Sequence, residues 1–192
     1  MLTIPNLLTL LRLLLIPCFI VASWRGEYVV AFALFVSAAV TDILDGAIAR
    51  RLNQRSRIGA ILDPAADKIM IVSGFLFYAL HGSVTIRIPG WLLFTVFIRD
   101  FMLAVFAYLL YTRVHIKRFP PSPAGKASTV FQAITLAATI AANAFAEPFT
   151  TIALMSFKVA LAITLYSAFD YMRRGDQWLK ERPAGSSPVS TS

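Results

Sequence analysis

The stretch Asp42-Ile-Leu-Asp45-Gly46-Ala-Ile-Ala49-Arg50-Arg51-Leu-Asn-Gln-Arg55-Ser-Arg57-Ile-Gly59-Ala-Ile-Leu-Asp63-Pro-Ala-Ala-Asp67 decides how this chain is read. Four of the ten acidic residues sit in it, with long apolar runs on both sides. A carboxylate at the centre of a membrane helix costs roughly 2.5–3.5 kcal/mol on insertion scales. Four together require compensating positive charge. A divalent metal is the simplest source, and a metal there points to chemistry on a phosphate.

The flanking sequence supports a membrane setting. The chain has 192 residues, 58% of them hydrophobic and 15% charged. A soluble domain usually carries about 25% charged residues. The apolar runs are long and recur along the whole length, and no alternating short segments suggest a β-barrel. The expectation is an all-α polytopic membrane protein with six transmembrane helices, over residues 7–23, 28–50, 58–80, 90–112, 126–146 and 150–171. Residues 2–6 read as a short amphipathic lead-in, and Pro17 as a kink in the first span. One membrane domain covers residues 1–180, and residues 181–192, rich in Ser, Pro and Gly, read as a disordered tail. No basic segment precedes the first apolar run, which contains Arg12, so this helix is expected to be retained rather than cleaved as a signal.

Charge sets the topology. The net charge is +8, and in a soluble protein that would suggest nucleic acid. Here the basic residues gather at helix ends, which points instead to membrane orientation and anionic partners, with no nucleic acid. Six spans put both termini on one side. The loops and ends of that side carry twelve Lys and Arg, from Arg50 to Arg182, whereas the opposite loops carry only Arg25 and Arg87. The positive-inside rule makes the richer side cytoplasmic, in a bacterial inner membrane, and places the acidic stretch near that face. Cys18 stands alone, so no intrachain disulfide forms, and His81 and His115 are too few for a zinc pattern.

Within the acidic stretch, Asp42, Asp45 and Ala49 are spaced i, i+3, i+7 and share one helix face. Asp63 and Asp67, at i, i+4, share a face of the next helix. Antiparallel neighbours would bring the two faces together as an all-oxygen ligand set. Hard cations such as Mg²⁺ or Mn²⁺ favour that set, whereas zinc recruits His or Cys. Two metals about 3.5–4 Å apart can clamp a phosphoryl group. Gly46 and Gly59 allow close approach of a nucleotide or of the facing backbone. Arg50, beside Ala49, suits phosphate oxygens. One acid can instead deprotonate an acceptor hydroxyl, and Asp67, the last of the set, is the choice.

The pattern D-x-x-D-G-x-x-A-R-x8-G-x-x-x-D-x-x-x-D resembles the signature of the CDP-alcohol phosphotransferase (CDP-alcohol phosphatidyltransferase) family, with every fixed position present. The opening Ile4-Pro5-Asn6-Leu-Leu-Thr-Leu-Leu-Arg12 with Pro17 is similar to its bacterial phosphatidylglycerophosphate synthases and cardiolipin synthases. The resemblance covers residues 3–176. It implies six transmembrane helices, a homodimer, and transfer of a phosphatidyl group from CDP-diacylglycerol to an alcohol with release of CMP. It also implies two divalent cations held by Asp42, Asp45, Asp63 and Asp67, with Asp67 as base, and a CDP pocket shaped by Gly46, Ala49, Arg50 and Gly59.

For the acceptor, glycerol 3-phosphate is the first choice and phosphatidylglycerol, giving a cardiolipin synthase, the second. Family members using glycerol 3-phosphate have Arg-Glu in the fourth span and then Gly-Lys-x-Lys-Thr. This chain has Arg99-Asp100 and Gly125-Lys126-Ala-Ser128-Thr129, and Arg99-Asp100-x-Met102-Leu103 is similar to the cardiolipin synthases. Arg99 and Lys126 are the candidate acceptor-site cations. Each has a plain structural reading beside it, as a buried ion pair and as an interfacial lysine. Arg12 reads as a partner for internal carboxylates or lipid phosphate. The Ala-rich fifth span suits close helix packing. A cation transporter with an Asp-lined site is the rival of another class. Its expected paired repeats and midplane site do not match this chain.

Overall fold

In the computed structural model the backbone is described for residues 4–52, 59–114 and 122–180, and side chains for residues 10–42, 65–106, 108, 112 and 122–174. Six α-helices and no strands make up these residues: α1 (Ile4–Trp24), α2 (Tyr28–Leu52), α3 (Gly59–Leu80), α4 (Gly90–Val114), α5 (Pro123–Phe145) and α6 (Phe149–Lys180). Each expected span has its helix. Three boundaries differ by three residues or more. Helix α1 already begins at Ile4, because Pro5 falls in the first turn, where a missing N–H leaves no bond unmade. Helix α5 begins three residues early, because Ser122 caps it by accepting a hydrogen bond from the Gly125 N–H at 3.0 Å, with Pro123 at the first helical position. Helix α6 runs to Lys180, well past the apolar stretch that defined its expected end.

Contacts between helices close a ring in the order α1, α2, α5, α6, α4, α3, with α3 also touching α5 across the middle. The α1–α2 connection turns at Gly26, whose φ of 77° suits a residue without a side chain. The α5–α6 pair has the most extensive contact, and the small buried residues Ala138, Ala141 and Ala142 of α5 allow it. The alanines of α5 thus serve packing within the chain. The crossing of α3 over α5 is close too: a Cβ on Gly74 would lie 2.5 Å from Leu136 Cδ2.

One apolar core runs through the ring, with Phe19, Phe35, Phe75, Tyr78, Leu92, Leu136 and Ile140 buried in it. At one end of the ring Asn143 ties α5 to the α3–α4 loop. Its Oδ1 accepts from the N–H groups of Thr85 and Ile86, and its Nδ2 donates to the Ile86 carbonyl. The outer surface is also apolar. Leu14, Phe94, Ile98, Phe101, Leu165 and Tyr166 are exposed, a surface suited to lipid tails rather than water. Helix α5 and the Phe149–Arg174 part of α6 are each long and apolar enough to cross a membrane. The linker 53–58 and the tail 181–192 lie outside the described residues.

Candidate active site

The fold brings Arg12 of α1, Asp42 of α2 and Asp67 of α3 to one point. Arg12 is 1% exposed, and its guanidinium contacts Asp67 Oδ1 at 2.6 Å and Asp42 Oδ1 at 2.9 Å. The carboxylates themselves keep 43% and 38% of their side-chain surface open. The cation is therefore enclosed while the acids face outward. This arrangement suits a ligand set: a buried guanidinium holds two carboxylates side by side without covering them.

The helical register extends the set. Helix α2 is continuous through Leu52, so Asp45, Gly46, Ala49 and Arg50 occupy its last turns beyond Asp42. Helix α3 begins at Gly59, so Asp63 lies one turn before Asp67. The side chains of Asp45, Ala49, Arg50 and Asp63, and the surroundings of Gly46 and Gly59, lie outside the described residues. Among the described residues, no group of three or more acids, histidines or cysteines assembles. Asp42 and Asp67 supply oxygen donors only, at an open position, and that chemistry fits a hard divalent cation.

A cavity of about 290 Å³ leads away from this point, with Arg12, Asp42 and Asp67 at one end. Its floor is apolar and buried: Phe35 and Ala38 from α2, Met70 and Ile71 from α3. Its remaining wall comes from α5, including Val130, Ala133 and Ile134.

A second polar cluster starts one residue further along α3. Lys68 pairs with Asp100 of α4, and Asp100 also accepts from Arg99 Nη1 at 2.9 Å. Arg99 is 5% exposed. Its Nη2 donates to Ser167 Oγ of α6 at 2.6 Å and to the Gly125 carbonyl of α5 at 3.4 Å, and its guanidinium lies 6.0 Å from the centre of the Tyr171 ring. The Tyr171 hydroxyl in turn accepts from the Ser122 N–H. Asp67 and Lys68 are adjacent, so a polar layer passes through all six helices. Of the two acceptor-site candidates, Arg99 is enclosed by protein partners, whereas Lys126 is exposed in the first turn of α5.

Arg12 takes the partner role its position inside an apolar run suggests. The polar layer also contains Lys68, Ser122, Ser167 and Tyr171, which belong to no motif of the sequence. Lys68 follows a motif aspartate and stands in an otherwise apolar stretch, a setting that marks a cation as functional. The other three carry no local mark.

A family model described as CDP-alcohol phosphatidyltransferase matches residues 2–166. A Mycobacterium tuberculosis protein named "Putative cardiolipin synthase" is 40% identical over 131 residues, covering 67% of this chain and 59% of that protein. The chain thus spans about three fifths of that relative's length. The CDP-diacylglycerol–glycerol-3-phosphate 3-phosphatidyltransferase of Aquifex aeolicus is 33% identical over 175 residues, covering 90% of this chain and 95% of its own. The Pseudomonas fluorescens protein of the same name is 46% identical over 91 residues, or 45% of this chain and 47% of its own. With the match running over most of its length, and with two motif aspartates meeting at one arginine, this chain belongs to the CDP-alcohol phosphatidyltransferase family.

Proposed function

We propose that the protein transfers a phosphatidyl group from CDP-diacylglycerol to glycerol 3-phosphate, releasing CMP, in the synthesis of phospholipid. The observation that carries this reading is the convergence of Asp42 and Asp67 on buried Arg12 at the mouth of an apolar cavity. Such a place receives a molecule with a phosphate at one end and hydrocarbon at the other. The family is divalent-cation dependent in general. Asp42, Asp45, Asp63 and Asp67 would hold two cations here, Mg²⁺ or Mn²⁺. When bound, these supply positive charge to the pyrophosphate and to the departing phosphate.

The chain's own residues then have separate tasks. Arg12 orients Asp42 and Asp67 from below. Gly46, Ala49, Arg50 and Gly59 would form the bed for the CDP moiety, Arg50 meeting phosphate oxygens. Asp67 takes the proton of the acceptor hydroxyl. That oxygen bonds to the lipid-bearing phosphorus, and the bond from this phosphorus to the CMP oxygen breaks, leaving the electron pair on CMP.

We place all six helices across a bacterial inner membrane, with both termini and the site on the cytoplasmic side. The positive-inside distribution and the apolar outer surface support this. The membrane domain is residues 1–180, followed by a disordered tail at 181–192, and the family resemblance supports a homodimer.

Glycerol 3-phosphate is preferred because the Aquifex relative, matched along nearly its whole length, bears that substrate in its name. Phosphatidylglycerol, the acceptor of a cardiolipin synthase, is the second reading. The pairing Arg99–Asp100 and the 40% identity to the mycobacterial protein favour it. Purified protein given CDP-diacylglycerol with Mg²⁺ or Mn²⁺ tests both. CMP release that requires glycerol 3-phosphate is the expected result. Release only with phosphatidylglycerol selects the second reading, and none with either acceptor overturns the assignment.

A further inference from the structure

We propose that Lys158 of α6 binds the phosphate of an anionic phospholipid in the outer leaflet, at a site apart from the one for transfer. This rests on the membrane placement above. Lys158 is exposed on a helix face that is otherwise apolar, with Leu154, Met155, Val159 and Leu165 exposed around it. It stands nine residues into α6, about 13 Å from the start at Phe149. The hydrocarbon layer is about 30 Å thick, so the backbone of Lys158 lies in its outer half, among acyl chains. An ammonium there is as unfavourable as the motif carboxylates are, and it calls for a partner.

Among the described residues the protein supplies none: no carboxylate lies within ion-pair distance of Lys158. The flanking acids on this side of the chain are engaged elsewhere. Glu147, before the helix begins, accepts from Thr151 at 3.3 Å, and Asp170, twelve residues further on, holds Arg174 at 3.0 Å. A second copy is a poor partner too, because two-fold contact through this face brings two lysines to one depth. Lipid meets the need. Helical side chains lean toward the helix N-terminus, here the outer face, so the lysine stem carries its ammonium toward the headgroups. The group it meets first is a phosphate. In a zwitterionic headgroup that phosphate already has a cation beside it. In an anionic headgroup it has none, and the anionic lipid is therefore preferred.

The test places a fluorophore one turn outward on the same face. Cys18 is the only cysteine, so Leu154→Cys in a Cys18→Ser background gives the purified full chain a single bimane label. The protein is reconstituted in phosphatidylcholine vesicles that contain acyl-brominated phosphatidylglycerol or, at the same mole fraction, acyl-brominated phosphatidylcholine. Quenching should favour phosphatidylglycerol about fivefold, the ratio that one lysine is worth beside an anionic headgroup. Lys158→Gln should abolish the preference, and Lys158→Arg should keep it. Equal quenching by the two lipids, or a preference that survives Lys158→Gln, overturns the proposal. Loss of the preference on adding inorganic phosphate also overturns it, because the ligand is then a free anion. Absence of quenching by either lipid overturns it too, and is the result expected if a carboxylate-bearing helix covers this face. A second label at Leu14→Cys, exposed on α1, keeps that last outcome apart from failure of the membrane placement. Brominated phosphatidylcholine quenches it wherever the helices cross the bilayer, and no quenching at either position would sink the placement itself.

Discussion

The Arg12 guanidinium and the Asp67 carboxylate, 55 residues apart in sequence, meet at 2.6 Å, with the arginine buried and the carboxylate open. The pair links α1 to α3 and gives the proposed base a fixed position. Asparagine in place of Asp67 keeps an oxygen that can accept from Arg12 but removes the basic group. Asp67→Asn should therefore lower CMP release about 10²–10⁴-fold, the range for loss of a general base. Its Tm in detergent should fall less than that of Arg12→Ala, because the contact to Arg12 is weakened from charged to neutral and not removed. Turnover at the wild-type rate would remove Asp67 from the role of base.

Arg12→Ala should fail in both respects. Two carboxylates lose their shared cation, and hydrogen bonds to charged groups are worth about 1.5–3 kcal/mol. Partial exposure of Asp42 and Asp67 lets water recover some of that, so a loss of about 2 kcal/mol is expected, read as a fall in Tm. Activity should fall with it, because the two acids then repel. An Arg12→Ala protein with normal Tm and normal CMP release would show that the bridge holds nothing in place.

Metal removal gives an independent check on the all-oxygen ligand set. Chelation with EDTA should abolish CMP release, and Mg²⁺ or Mn²⁺ should restore it. Zn²⁺, which favours nitrogen and sulfur ligands, should restore little. Full activity after exhaustive chelation would contradict the proposed roles of Asp42, Asp45 and Asp63.

The enclosure of Arg99 separates two meanings of an arginine near the acceptor side. Removing a partner from a buried ion pair costs about 3–5 kcal/mol, so Arg99→Ala should lower Tm markedly, leaving Asp100 with Lys68 alone and Ser167 without its donor. An arginine that bound acceptor phosphate instead would, on removal, raise KM for glycerol 3-phosphate and leave Tm near its original value. Tm and KM measured on the same preparation tell the two apart.

The crossing of α3 and α5 is tested by Gly74→Ala. The added Cβ meets Leu136 Cδ2 at 2.5 Å and Cδ1 at 3.0 Å, so this buried leucine must shift. Overpacking of this kind costs about 1–3 kcal/mol, measured as a drop in Tm with metal dependence retained. An unchanged Tm would mean that the crossing is looser than its geometry indicates.

Much of this molecule is legible from the chain alone, because the signals are local. An apolar run of about twenty residues makes a helix of membrane length wherever it occurs, and Pro, Gly and charged residues mark its ends. Each of the six expected segments therefore has its helix, and the limits differ mainly where Pro5, Ser122-Pro123 and the polar end of α6 extend them. Spacings of three, four and seven likewise put Asp42 with Asp45, and Asp63 with Asp67, on shared faces before any packing is known. The family signature is local too, and it points to the family before any contact is known.

Packing between distant segments settled the rest. That Arg12 joins Asp42 and Asp67, that Lys68 turns to Asp100, and that Ser167 and Gly125 enclose Arg99 depend on the ring order α1, α2, α5, α6, α4, α3. No single helix encodes that order. The cavity beside Asp42 and Asp67 has the same origin, since Ala39 and Ala133 are ordinary small residues until two helices ninety-odd positions apart are laid side by side. Sequence alone determined the helices and the acids, through local periodicity and spacing. Tertiary structure alone decided which charges neutralise one another and where a cavity is left, because both arise from contacts between surfaces that meet only on folding.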